Sequence, residues 1–192
     1  MSIRPPLRVS VTRHEEKEQS LKDFLLQHMS STRDDRSATP AGDLLIVARS
    51  LESPVIKAIT ALTDEIAAAH LSVRLILAQV DRELHGADCW AFAHEIRWAK
   101  HPRLIEAHEQ LVIDPETCWI GDCMRRDPAK CDAYESFVEG CGEAAGCAAV
   151  SFERLWHASQ PLVKSTLRGG GMIGHGIPAR DGASQATIGT RH

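Results

Sequence analysis

The spacing of apolar and polar positions changes several times along this chain, and each change predicts an element. Residues 14–29 place Leu21, Phe24, Leu25 and His28 on one helical face, with Glu15, Glu16 and Lys22 pointing outward. Residues 30–43, rich in Ser, Asp and Pro, follow as a polar connection. Leu44–Ala48 is continuously apolar, which predicts a strand buried on both faces, the usual state of a parallel strand. Ser53 as cap and Pro54 as first residue start a helix. Val55, Ile59, Leu62, Ile66 and Ala69 form a single stripe along it, and Val73, Leu75 and Leu77 then alternate as a second strand. Strand, helix and strand in this order make a βαβ unit, whose crossover should be right-handed.

Downstream the elements are shorter. Glu95–Trp98 reads as a third strand, and residues 81–94 before it carry turn signals. Leu111–Ile113 and Cys118–Ile120 flank Asp114, Pro115, Glu116 and Thr117, which predicts a hairpin. Tyr134–Val138 reads as a further strand. Glu143–Ser159 reads as a helix with Ala144, Cys147, Ala148, Phe152, Leu155 and Trp156 inward. Residues 1–13, broken by Pro5 and Pro6, are expected to be short on structure. The fold class is α/β, a mixed β-sheet flanked by helices. Three parts are expected: an N-terminal helix and polar linker (1–42), an α/β domain (43–162), and a Gly-rich, disordered tail (163–192).

Composition narrows the function classes. The 192 residues include 22 Lys+Arg and 26 Asp+Glu, a net charge of -4, which excludes a strongly basic nucleic-acid binder but not a local basic patch. Apolar residues make up 43%, enough for a packed core. No apolar run approaches the roughly 20 residues of a membrane span. The first twenty residues carry no apolar signal region, so a cytoplasmic location is expected. The six cysteines, Cys89, Cys118, Cys123, Cys131, Cys141 and Cys147, fit reduced and mostly buried thiols. Only Cys118 and Cys123 approach metal-ligand spacing, with His101 and His108 upstream as further ligands of a zinc-stabilised alternative.

The order of elements over residues 43–159 resembles one half of a phospholipase D superfamily domain. The final helix ends Phe152-Glu153-Arg154-Leu155-Trp156, similar to the family's F-x-x-L-W ending. The family motif runs H-x-K, four residues, D, six residues, then G-S-x-N; the corresponding stretch here is HEQLVIDPETCWIGDCM. His108 stands for the motif histidine, and Asp114 and Gly121 keep the motif spacing. Gln110 stands for the lysine, Asp122 for the serine and Met124 for the asparagine. One residue is missing between His108 and Asp114; counted back from Asp114, the histidine position falls on Ala107. A one-residue slip turns a strand side chain to the other face, so His108 reaches the expected pocket only where a bulge absorbs the slip.

The resemblance implies a histidine nucleophile on phosphorus, no metal and no cofactor. It also implies a second histidine from a homodimeric partner. His108 is the implied nucleophile. Gln110, Arg125, Arg126 and Glu135 are the implied substrate-binding residues, Glu135 orienting the histidine and the arginines replacing the missing lysine charge. A patch of Lys100, Arg103, Arg125 and Arg126 offers a phosphate or nucleic-acid backbone a landing point. Loss of a cation from a phosphoryl site is costly, on the order of a hundredfold to a thousandfold in rate per donor. The leading reading is therefore a phospholipase-D-like domain with a degraded motif, working as a homodimeric binding or assembly module. The alternatives are a divergent metal-independent phosphodiesterase using His108, and a zinc-stabilised interaction protein.

Overall fold

The computed structural model describes residues 7–11, 14–33, 42–80, 89–100, 107–124 and 133–162. The chain enters through Leu7–Val11 (β1), where L-R-V-S-V alternates as a strand should. This corrects the expectation that residues 1–13 lack structure: β1 pairs antiparallel with a strand more than a hundred residues away. His14–Arg33 (α1) follows, longer than the predicted helix. Its Leu21, Phe24, Leu25 and Met29 are buried in the main core.

Asp43–Ala48 (β2) and Ser72–Leu77 (β3) pair in parallel, as their apolar runs predicted. The predicted helix between them is two helices, Pro54–Ala61 (α2) and Thr63–Ala68 (α3), split at Leu62. The Thr60 and Thr63 hydroxyls donate to carbonyls of the preceding turn, a pattern that bends helices. The stripe survives the break, because Val55, Ile59, Leu62, Ile66 and Ala69 are all buried. Ser53 does not cap α2 with its side chain.

A short turn of helix, Cys89–Phe92 (α4), leads into Glu95–Trp98 (β4), parallel to β3. The hairpin is His108–Asp114 (β5) and Thr117–Cys123 (β6), turning at Pro115 and Glu116. Ala133–Val138 (β7) pairs with β6. Gly142–Ala158 (α5) follows Gly140, whose φ of 66° lies in the left-handed region that favours glycine. Cys147, expected inward, is exposed and Ala144 half-buried; the buried row is Ala145, Ala148, Phe152, Leu155 and Trp156. After α5 the chain forms an edge strand, Gln160–Leu162 (β8), on β4; its Pro161 is tolerated at an edge.

The eight strands form one mixed sheet in the order β1-β7-β6-β5-β2-β3-β4-β8. One face packs against α1–α4 through Leu44, Ile46, Val73, Leu75, Leu111, Ile113 and Trp119. The opposite face packs against α5 through Leu45, Val47, Ile76, Val112, Cys118 and Phe152. The fold class is thus α/β, as the sequence predicted, but residues 7–33 build the same sheet and core as residues 43–162. Residues 163–192 lie outside the described residues.

Candidate functional site

Alternation along β5 decides where the chemistry goes. Leu111 and Ile113 face α1–α4, and Glu109 is in phase with them. Gln110 is in phase with Val112 and faces α5, where its amide donates to the Ala148 carbonyl at 3.1 Å. Gln110 is therefore committed to holding α5 on the sheet.

Glu109 is buried beside the start of α2. It accepts from the Arg49 backbone N–H at 2.9 Å and from the Ser53 hydroxyl. The Arg49 guanidinium in turn donates to the Cys123 carbonyl at 3.1 Å. On the neighbouring strands stand Asp122 and Glu135. Lys17, from the first turn of α1, reaches both: its Nζ is 2.7 Å from Asp122 Oδ2 and 3.8 Å from Glu135 Oε1. Lys17 and Asp122 keep 9% and 19% side-chain exposure, and Glu135 keeps none.

Glu135 accepts no hydrogen bond on either carboxylate oxygen from the described residues. Burial pushes its carboxyl up to about 7; Lys17 opposes the rise, and Asp122 and Glu109 add to it. The carboxyl is near half-protonation at neutral pH. A second acid–base contact fixes the other end of α1, where His28 Nε2 lies 3.3 Å from Asp114 Oδ2 at the hairpin turn.

The β5–β6 ladder has a register shift between His108 and Gln110, with the extra residue on β6. Gly121 sits in that shift. A Cβ there would lie 2.3 Å from the Trp119 ring, so the glycine of the motif spacing makes room for the ring. His108 is exposed and in phase with Gln110. Its Nδ1 is 2.9 Å from the Gly121 carbonyl. A carbonyl only accepts, so Nδ1 is the donor in this bond, and Nε2 is the ring nitrogen that the bond does not use.

Of the residues implied by the motif, the structure brings Glu135 into a cluster with Lys17, Asp122 and Glu109. His108 and Gln110 belong to the other phase of β5. Arg125, Arg126, Arg103 and His101 lie outside the described residues. Lys100 is exposed, with Nζ 5.4 Å from the Trp98 ring centre. Counted back from Asp114, the motif lysine position falls on Glu109, two residues after Ala107. Met124, in the asparagine position, is buried and its N–H donates to the Ala107 carbonyl. Among the described residues, no three His, Cys, Asp or Glu side chains come together as a metal site. Cys131 lies outside the described residues. Cys118 is buried, and its thiol is pushed up to about 11, first by burial and then by Cys141 and Asp114.

Lys17 and Glu109 were missed in the sequence, yet both carry a readable signal. Lys17 lies four residues before Leu21, in phase with the apolar stripe of α1. Glu109 alternates with Leu111 and Ile113. A charge in the apolar phase of an element is a charge to be buried and paired.

This single mixed sheet, covered by helices on both faces, with its βαβ unit, its β5–β6 hairpin and the closing α5, has a phospholipase-D-like fold. The phospholipase D family member Nuc from Salmonella typhimurium matches 82% of this chain and 99% of its own at a TM-score of 0.50 and 14% identity. NucT from Helicobacter pylori matches 82% and 99% at 0.51 and 10% identity. TrmBL2, an archaeal chromatin protein with a novel mode of DNA binding, matches 83% of this chain at 0.57 and 10% identity; the chain spans 55% of that protein. No protein-family model and no curated protein matches the sequence. Among the described residues, no helix is long and apolar enough to cross a membrane.

Proposed function

We propose that this phospholipase-D-like domain no longer hydrolyses phosphodiesters and works as a homodimeric binding or assembly module. The observation that carries the reading is the cluster of Glu109, Asp122 and Glu135 closed by Lys17. Two of these carboxylates stand at the lysine and serine positions of the motif, counted from Asp114. Phosphoryl transfer needs positive charge where negative charge develops. Here the cation is already taken by Asp122, and a phosphodiester would meet carboxylates instead. The same argument disfavours a phosphate or nucleic-acid ligand at this cluster. The DNA binding of the archaeal chromatin protein belongs to a chain of which this one spans only part.

The test is turnover of a chromogenic phosphodiester at high protein concentration with EDTA present, for wild type and His108→Ala. Equal background rates are expected. Turnover that collapses in the variant would sink the reading.

One observation favours a second reading, the divergent metal-independent phosphodiesterase. His108 is exposed and its ring is oriented by the bond from Nδ1 to the Gly121 carbonyl, which leaves Nε2 as the nitrogen that would attack phosphorus in the neutral ring. That reading requires a cation near His108. Arg125 and Arg126 follow β6 directly in sequence, and activity lost on changing both to Ala supports it.

A further inference from the structure

The outer face of α5 carries Val150, one of two large apolar side chains exposed among the described residues, at 52% exposure. An open groove runs along this face, lined by Glu143, Gly146, Cys147, Val150, Ser151 and Arg154. Glu143, Cys147, Val150 and Arg154 are spaced four, three and four residues apart, which puts them on one stripe of the helix. Glu143 and Arg154 are exposed, and neither has an ion-pair partner among the described residues. They cannot pair within one helix, since eleven residues at helical rise separate them by about 16 Å.

The stripe is self-complementary when reversed. Glu143 and Arg154, Gly146 and Ser151, and Cys147 and Val150 are each placed symmetrically about the point between Ala148 and Ala149. From this we infer that two copies of the chain meet here, their α5 helices antiparallel about a twofold axis at that point. The inference rests on the homodimeric reading above and names its surface.

A twofold contact brings the same patch of both copies together, so the patch must complement itself. In the antiparallel arrangement Glu143 meets the partner's Arg154, and Arg154 meets the partner's Glu143. Val150 then lies over the partner's Cys147, covering its exposed methyls. Gly146 has no neighbour within 4 Å of where a Cβ would stand, so the second helix has room for close approach. A parallel arrangement would set Glu143 against Glu143 and Arg154 against Arg154, which like-charge repulsion disfavours.

The experiment measures the mass of the full chain in solution by light scattering across a dilution series, for wild type, Glu143→Arg, Arg154→Glu and the double reversal. Circular dichroism checks that each variant folds, which these exposed positions should permit. Wild type is expected to be dimeric. Each single reversal turns two attractions into two repulsions and should raise the dissociation constant roughly tenfold. The double reversal restores the complement and should return it close to the wild-type value. A monomeric wild type overturns this surface and the homodimeric reading together; a groove covered by the chain's own residues 163–192 would give that result. A dimer indifferent to all three variants overturns the surface and leaves the homodimeric reading standing. Single-reversal losses without rescue overturn the antiparallel register.

Discussion

Two ion-pair clusters sit on opposite faces of the same sheet, and they shift their carboxylates in opposite directions. On the α1 face, Glu135 is fully buried, takes no hydrogen bond from the described residues and lies 3.8 Å from Lys17. On the α5 face, Glu153 is 43% exposed and accepts two bonds from the Arg74 guanidinium, at 2.6 and 3.3 Å. That guanidinium also lies 4.3 Å from the Trp156 ring centre, whose ring Arg97 approaches to 4.5 Å. Burial lifts Glu135 to about 7, whereas the hydrogen bond from Arg74 holds Glu153 below the usual carboxylate range. Both acids have a cation beside them. What separates them is whether water or a directed donor replaces the lost hydration.

Removal of Lys17 should widen the contrast most. Lys17→Met leaves Asp122 and Glu135 without their shared cation, and breaking a buried pair costs roughly 3–5 kcal/mol. The lower end is expected, because Asp122 keeps some contact with solvent. The loss should shrink toward pH 5, where Glu135 takes up a proton and no longer needs the cation. Denaturant unfolding at pH 8 and pH 5 reads both effects. An equal loss at the two pH values would show that Glu135 is not coupled to Lys17.

Next in size is the pH dependence of Glu135 itself. Its folded pKa is raised, so the folded state holds more protons than the unfolded state between 4.5 and about 7. Its contribution is therefore fully favourable below 4.5 and is lost as pH rises to about 7. The shift corresponds to about 3 kcal/mol. Glu135→Gln should remove that slope. The difference between the wild-type and variant unfolding curves isolates it from the rest of the chain.

The contrast between these clusters was half legible in the sequence. The βαβ unit could be read because Leu44–Ala48 is an unbroken apolar run and Val73, Leu75 and Leu77 alternate. The hairpin could be read from its turn residues and α5 from its aromatic end. β1 was missed because its partner is distant in sequence: the pairing of Val9 with Glu135 leaves no local trace. Glu135 was singled out from the family resemblance and Asp122 from the serine position of the motif, but Lys17 and Glu109 were not. Lys17 comes from an element outside the motif, and Glu109 becomes visible only when the count starts from Asp114 rather than from His108. The register shift at Gly121 is a property of two strands together, and neither strand's sequence states it alone.

The smallest effect should come from the other face. Glu153→Gln removes one charge from a half-exposed pair, and such pairs contribute at most about 1 kcal/mol. The sign is opposite to that of Glu135. With its folded pKa lowered, Glu153 contributes above the unfolded value and loses the contribution as pH falls through the folded one. Salt separates the two further, because an exposed pair is screened and a buried carboxylate much less so. The cost of Glu153→Gln at neutral pH should fade in 1 M salt, which denaturant unfolding at low and high salt would measure. A cost that survives high salt would mean that Glu153 acts by fixing the Arg74 guanidinium over Trp156, with geometry rather than charge carrying the contribution.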